Sequence, residues 1–310
     1  MSSMLVVSNF DWSETDRELV IFIPNHGRKE YVDYTIQKIS TVVKKNRWLI
    51  VVGNDGIDCN FSYLYNQNVR YFTLMPEVPG SRNGCFIRNY AIKRCKSRLF
   101  AQKDPEILIF DDYIHSILKY NAGWRAGKIV RIMSKELSNK VLQGGKRIFK
   151  PYYDILPSNP YFNEFSIQAL HWNSYRNDPG YESIRSEVLF FIEVNAPSLY
   201  DGKLIQGQIL YSNGVHNVSN YFSYVNCVET EVLQRINGYD EDYTGYGYED
   251  TDLFCRLMAM NYPVESDPTI QAIHLHHDEV KAIGEPMFEV FARKSCLDTV
   301  RNVGRGWGEG

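Results

Sequence analysis

Apolar residues fall into two rhythms along this chain. Unbroken runs, LVIFI at 19–23, WLIVV at 48–52, VRYFTL at 69–74 and ILIF at 107–110, read as strands buried on both faces. Between the first two, Val32, Ile36, Ile39, Val42 and Val43 recur at the spacing of one helical face, which predicts a helix over 31–45. Another helix is expected over 87–95, ahead of the fourth run. Strands alternating with helices imply an α/β fold: a Rossmann-like, mostly parallel central sheet flanked by helices. From about 126 to 213 the rhythm fades. A helical piece over 128–141 precedes aromatic, Pro- and Asn-containing segments such as HWNSYRNDPGY, with a strand-like run at 188–194, so this part reads as an irregular insertion. An amphipathic helix is expected from 253 onward and a strand from 269, while the final GRGWGEG reads as a flexible tail or a lid.

Composition narrows the class. With 44% hydrophobic residues and 22 tyrosines in 310 positions, the chain suits a folded protein with stacking surfaces rather than a solvating tail. The net charge of -3 offers nothing toward a polyanionic partner. Six cysteines lie scattered with no C-x-x-C pair and no zinc-type spacing, which predicts a reduced, cytoplasmic protein. No apolar run reaches the roughly 18 residues of a membrane span, so the expectation is a soluble chain, or one peripheral at a membrane.

In a parallel sheet, ligands sit beyond the carboxyl ends of the strands. Three strand exits carry polar residues there: Pro24-Asn25-His26-Gly27-Arg28, Asn54-Asp55-Gly56 and Asp111-Asp112-Tyr113. Each alone is also an ordinary turn; their joint placement points to a site. Asp111 and Asp112 supply hard oxygen ligands suited to Mn²⁺ or Mg²⁺ bridging a diphosphate. A second cluster, NGYDEDYTGYGYEDTD at 237–252, leads into the amphipathic helix. Its Gly245 and Gly247 allow close backbone approach, Tyr246 and Tyr248 offer stacking faces, and Asp250 stands where a helix macrodipole favours an ionised carboxylate, hence a general base. A third, IHLHHD at 273–278, puts His274 and His276 on one strand face and His277 on the other. Imidazoles there ligate a metal or serve as hydrogen-bonded structural residues.

The order of these clusters resembles the GT-A fold glycosyltransferases, especially the family-two enzymes and their galactosyl- and N-acetylgalactosaminyltransferase relatives. The resemblance runs from Val20 to His277. IFIPNHGRKEYVDYTI is similar to their opening P-x-x-N-R segment, VVGNDGID to V-V-D-D-G-S, and RNGCFIRNYAIKRC to G-x-x-x-A-R-N-x-G. ILIFDDYIH falls at the D-x-D position, and NGYDEDYTGYGYEDTDLFCRL is similar to G-G-F-D-E-x-F-x-G-W-G-x-E-D-x-D-L-x-x-R. It implies that Asp55 and Arg88 contact the nucleotide, with Pro24, Asn25, Arg28 and Gly247 also on the donor side. Asp112, with Asp111, would hold ribose and metal. Glu249 would contact donor sugar or acceptor, Asp250 would be the base, and His274 the metal ligand, with His276 and His277 as rivals. Two positions depart from the pattern: Tyr113 stands where D-x-D has its second acid, and Asn54 replaces the first acid of the strand exit.

What the resemblance implies is a Mn²⁺- or Mg²⁺-dependent transferase, moving a hexose or N-acetylhexosamine from a nucleotide sugar, UDP-linked, to a hydroxyl with inversion. A retaining course is the alternative. The acceptor would be a glycan or other hydroxyl-bearing molecule, with a nucleic acid the remotest choice. The layout would be an N-terminal extension (1–17), a nucleotide-sugar-binding half (18–125), an acceptor-facing insertion (126–215), a catalytic and acceptor half (216–285) and a C-terminal tail (286–310). Two rivals use the same residues: a binding module of the same fold without turnover, and a metal hydrolase working through the histidines.

Overall fold

The computed structural model describes residues 5–39, 46–55, 68–75, 84–109, 111–119, 124–132, 139, 190–193, 203–205, 208–211, 214–217, 225–244, 247–262, 264–275, 277, 287–295 and 297–309. The apolar runs form strands as their composition dictates: β1 (Leu5–Ser8), β2 (Leu19–Asn25), β3 (Trp48–Asp55), β4 (Val69–Met75) and β5 (Leu99–Lys103). Then come β6 (Ile107–Leu108), β7 (Trp124–Ile132), β8 (Phe190–Glu193), β12 (Val225–Glu229) and β13 (Val264–His274). All ten join one mixed sheet, ordered β1-β4-β3-β2-β5-β12-β7-β13-β6, with β8 beside the second half of β7. Between β8 and β12, β9 (Lys203–Ile205), β10 (Gln208–Tyr211) and β11 (Gly214–Asn217) make a small antiparallel sheet.

The heart of the large sheet is the parallel block β4-β3-β2-β5. Its strands are buried on both faces, and their alternation divides them between two cores. Val20, Phe22, Leu49, Val51 and Phe100 enter one; Leu19, Ile21, Ile23, Ile50 and Ala101 enter the other. The first core is closed by α2 (Gly84–Arg94), α4 (Thr230–Arg235), α5 (Glu249–Ala259) and α6 (Met287–Ala292), the second by α1 (Lys29–Lys38) and α3 (Asp111–Leu118).

Strand order makes a crevice. From β2 the chain proceeds through β3 to β4 on one side, then returns to place β5 on the other side of β2. The loops after β2 and β5 therefore diverge at a topological switch point, where open α/β sheets bind ligands.

The structure adds to and changes these expectations. Leu99–Lys103, not among the expected strands, is a central parallel strand. Of the ILIF run, Ile107–Leu108 form a short strand antiparallel to β13, and Phe110 lies outside the described residues. Positions 128–132, read as helical, belong to β7, because parallel pairing with β13 along Trp124–Arg131 overrides local helix preference. In the tail, residues 301–309 pack onto α2 and the loop before α5. Arg94 donates to Gly308 O at 2.9 Å, Lys93 lies 5.4 Å from the Trp307 ring centroid, and Asn302 is buried.

Candidate active site

Four elements converge on the crevice between β2 and β5. After β2, Asn25 Oδ1 accepts from the Arg28 backbone N–H (3.1 Å) and Asn25 Nδ2 donates to Asn54 Oδ1 (2.9 Å); Asn54 Nδ2 in turn donates to Thr73 (3.2 Å). Asn54 is fully buried in this relay across β2, β3 and β4, where an amide can donate and accept as an ionised carboxylate cannot. That accounts for the missing acid. Asp55 remains half-buried at the end of β3, and its carbonyl stands 2.6 Å from His26 Nδ1. Pro24 is half-buried between these partners.

At the end of β5 the turn Asp104-Pro105-Glu106 presents two carboxylates. Beneath it, the fully buried Lys103 ammonium donates to the carbonyls of Asp104 (3.0 Å) and Pro105 (3.4 Å) and to Thr35 Oγ1 (3.4 Å), fixing the turn. Burial pulls the Lys103 amine down to about 7, against the attraction of Glu106 and Asp104. Burial and then the neighbouring Glu106 push the Asp104 carboxyl up to about 7, against Arg88. Glu106 forms an ion pair with the Arg28 guanidinium at 2.6 Å and lies 3.0 Å from His277 Nε2.

Arg88 enters from α2 with only 8% of its side chain exposed, 3.5 Å from Asp104 and 4.0 Å from Glu249, over the Tyr239 ring. Burial opposes its charge, but Asp250, Asp104 and Glu249 hold it above its ordinary pKa. Tyr239 donates to Gln102 Oε1 at 2.6 Å, closing the floor.

The fourth element is the first turn of α5. Gly247 (φ 97°) and Tyr248 (φ 67°) are left-handed; open space surrounds a Cβ built on Gly247, so backbone freedom alone favours glycine there. The acids of this stretch divide into two groups. Asp240 pairs with Lys294 and Arg301, Asp242 with Lys294 and Arg305, and Asp252 with Arg256 (2.7 Å) and Arg301 (2.9 Å). Those pairs hold the segment in place. Glu249 and Asp250 instead face Arg88, and Glu249 Oε2 and Asp250 Oδ1 are buried without a hydrogen-bond partner among the described residues. Burial first, then Glu249, raise the Asp250 carboxyl well above the usual range, with Arg88 opposing. Desolvation thus overrides the helix field that was expected to keep Asp250 ionised. Asn89 fixes the approach to this turn. It donates to Tyr239 O and Glu241 (2.8 Å each) and accepts from the Tyr239 N–H (2.7 Å); a Cβ at Gly238 (φ 61°) would stand 2.2 Å from its Oδ1.

The structure thus brings together Arg28, Arg88, Glu249, Asp250 and His277 of the expected residues, with Asn25 and Asp55 at adjoining strand ends. Asp111 and Asp112 open α3 beyond the edge strand β6, and His274 ends β13 within the sheet. His276 lies outside the described residues. Lys103, Asp104, Glu106, Gln102 and Tyr239 escaped the sequence reading, although the acid-x-acid spacing of Asp104 and Glu106 was there to be seen. Asp104, Glu106 and His277 form a donor set of carboxylate oxygens and imidazole, which fits Mn²⁺ chemically. Among the described residues, no three such side chains yet stand close enough to hold an ion.

Residues 211–278, which include α5 and His277, match the family described as the N-terminal domain of galactosyltransferase. No curated protein sequence matches the chain. Among solved structures, the chain is similar to the mannosyltransferase PcManGT of Pyrobaculum calidifontis in complex with GDP-Man and Mn²⁺, at 11% identity and TM-score 0.45. That likeness covers 84% of this chain and 57% of the other, so the chain spans little more than half of that relative. The catalytic domain of Drosophila β1,4-galactosyltransferase 7 in complex with xylobiose is similar at 12% identity over 90% of this chain and 80% of its own, TM-score 0.46. S. aureus TarS 1–349 in complex with UDP is similar at 11% identity over 84% and 60%, TM-score 0.48.

Proposed function

We propose that this chain is a GT-A glycosyltransferase that moves a hexose or N-acetylhexosamine from a nucleotide sugar, with UDP as the nucleotide, to an acceptor hydroxyl, with inversion. The observation that carries the reading is the pair of the half-buried Glu249 and the buried Asp250 on the first turn of α5, facing Arg88 across from Asp104, inside the stretch that matches a galactosyltransferase family.

In this reading Asp55, with Pro24 and Asn25 at the neighbouring strand end, faces the nucleoside, and Arg28 and Arg88 face the diphosphate. The metal role expected of Asp111 and Asp112 passes to Asp104 and Glu106, because β5 adjoins β2 at the switch point and β6 does not. His277 takes the histidine role, since its ring stands on Glu106. Mn²⁺, when bound, would offset the charge that develops on the departing diphosphate. Glu249 orients the sugar or acceptor, and Gly247 gives the donor close approach to the backbone. Asp250 takes the acceptor proton as the oxygen attacks the anomeric carbon and the bond to phosphate breaks, the electron pair leaving with the diphosphate. Its raised pKa suits the task, because an ionised carboxylate that binds protons more tightly is the stronger base.

Incubation with UDP-sugars and Mn²⁺ tests the reading. Asp250→Asn is expected to lose at least about a hundredfold in turnover while UDP with Mn²⁺ still raises its melting temperature as it does the native chain's. For the native chain, kcat should rise with pH along a limb displaced above the ordinary carboxylate range. Undiminished turnover in Asp250→Asn would remove Asp250 as the base.

A further inference from the structure

Arg28 lies on both groups that stand ready for a metal. Its Nη1 is 2.6 Å from Glu106 Oε2 and its Nη2 is 3.3 Å from His277 Nδ1, while His277 Nε2 stands 3.0 Å from Glu106 Oε1. A guanidinium can only donate, so His277 Nδ1 accepts from Arg28 and the ring's proton sits on Nε2, directed at Glu106. The guanidinium therefore sits as an ion pair on Glu106 Oε2, and the ring's acceptor nitrogen faces its hydrogens. A divalent ion at this pair must displace a cation already seated there, against like-charge repulsion at close range.

The pair is built for exchange. Glu106 is 5% exposed and stands on the short turn after β5, whereas Arg28 is 24% exposed at the end of a long side chain. Among the described residues, Arg88 stands 3.5 Å from Asp104, and Lys103 is engaged with the backbone of the turn beneath.

We propose that Arg28 is a built-in counter-cation that competes with a divalent metal for Glu106 and His277, and that it yields them when an anion at the crevice mouth draws the guanidinium away. The identity of that anion, the diphosphate of a nucleotide sugar, rests on the glycosyltransferase reading; the competition does not. Metal alone should then bind weakly, and metal and diphosphate should strengthen each other's binding reciprocally.

The test is a titration of the purified full chain with Mn²⁺ alone, reading free ion by electron paramagnetic resonance. Arg28→Gln should bind Mn²⁺ about tenfold more tightly than the native chain, because a competing charge is gone. Glu106→Gln should bind it more weakly. Arg28→Lys, which keeps the charge but loses the fork that spans both partners, should fall between native and Arg28→Gln. Unchanged or weaker binding in Arg28→Gln overturns the proposal, as does absence of binding in both native chain and variant. If circular dichroism shows Arg28→Gln unfolded, Arg28→Lys decides by the same criterion. The two readings fail separately. Tighter Mn²⁺ binding with no stabilisation by UDP leaves the competition standing and removes the transferase, whereas sugar transfer with unchanged Mn²⁺ affinity does the reverse.

Discussion

Asp104 shows what the site costs the fold. Its carboxyl moves from an ordinary 3.8 to about 7 through burial and Glu106, so between those values the folded chain holds a proton that the unfolded chain has released. Stability contributed by this group is therefore full below pH 3.8, falls as pH rises through the window and is level above about 7. Asp104→Asn has no such proton to lose. It is expected to melt a few degrees above the native chain at pH 8, with the gap narrowing as pH falls toward 4, in thermal melts monitored by circular dichroism. A lower melting temperature at pH 8 would mean that attraction to Arg88 outweighs desolvation. Lys103 works in the opposite direction: its folded value of about 7 lies below the free 10.5, so the penalty it imposes is relieved as pH rises through that interval. Of these groups, Arg88, Glu249 and Asp250 were legible in the chain because each sits in a dense local motif. Asp104 and Glu106 were not, since an acid pair means little until the strand before it is known, and Gln102 and Lys103 disguise that strand.

Among the elements, α5 depends on parts distant in sequence. The loop leading to it is gripped by Asn302, whose Oδ1 accepts from the Glu241 N–H (3.1 Å) and whose Nδ2 donates to Asn237 O (3.0 Å) and Tyr239 O (2.8 Å). Asn302 itself sits at φ 54°, where alanine is strained. Asn302→Ala should cost about 2–4 kcal/mol, measured as a lower urea midpoint with unchanged slope; a loss within error would show that the loop holds itself. Helix α5 was legible from its glycine-rich entry and acidic first turn. The glycine-rich tail gives no signal of its contacts, because its partners Lys93 and Arg94 lie on α2, far away in sequence. Strand β7 was misread for a related reason, its register being set by β13 rather than by its own residues.

Across the chain as a whole, the long apolar runs announced the parallel block because burial on both faces leaves no room for alternation. The additions β12, β7 and β13, in which β12 runs antiparallel to β5 and β7 while β7 and β13 are parallel, carry no such signature. Amide hydrogen exchange should be slowest in β2, β3 and β5, which are paired on both sides and almost wholly enclosed, and faster in the edge strands β1 and β6. Equal protection in β1 would place the cooperative core elsewhere. The packed tail has a further consequence for how the protein is made. Synthesis runs from the amino end, so the loop before α5 leaves the ribosome well ahead of Arg301, Asn302 and Gly308, which clamp it. A nascent chain can thus complete its parallel block while the Glu249–Asp250 turn is still unanchored, and the crevice gains its acidic wall only after residues 301–308 have been made.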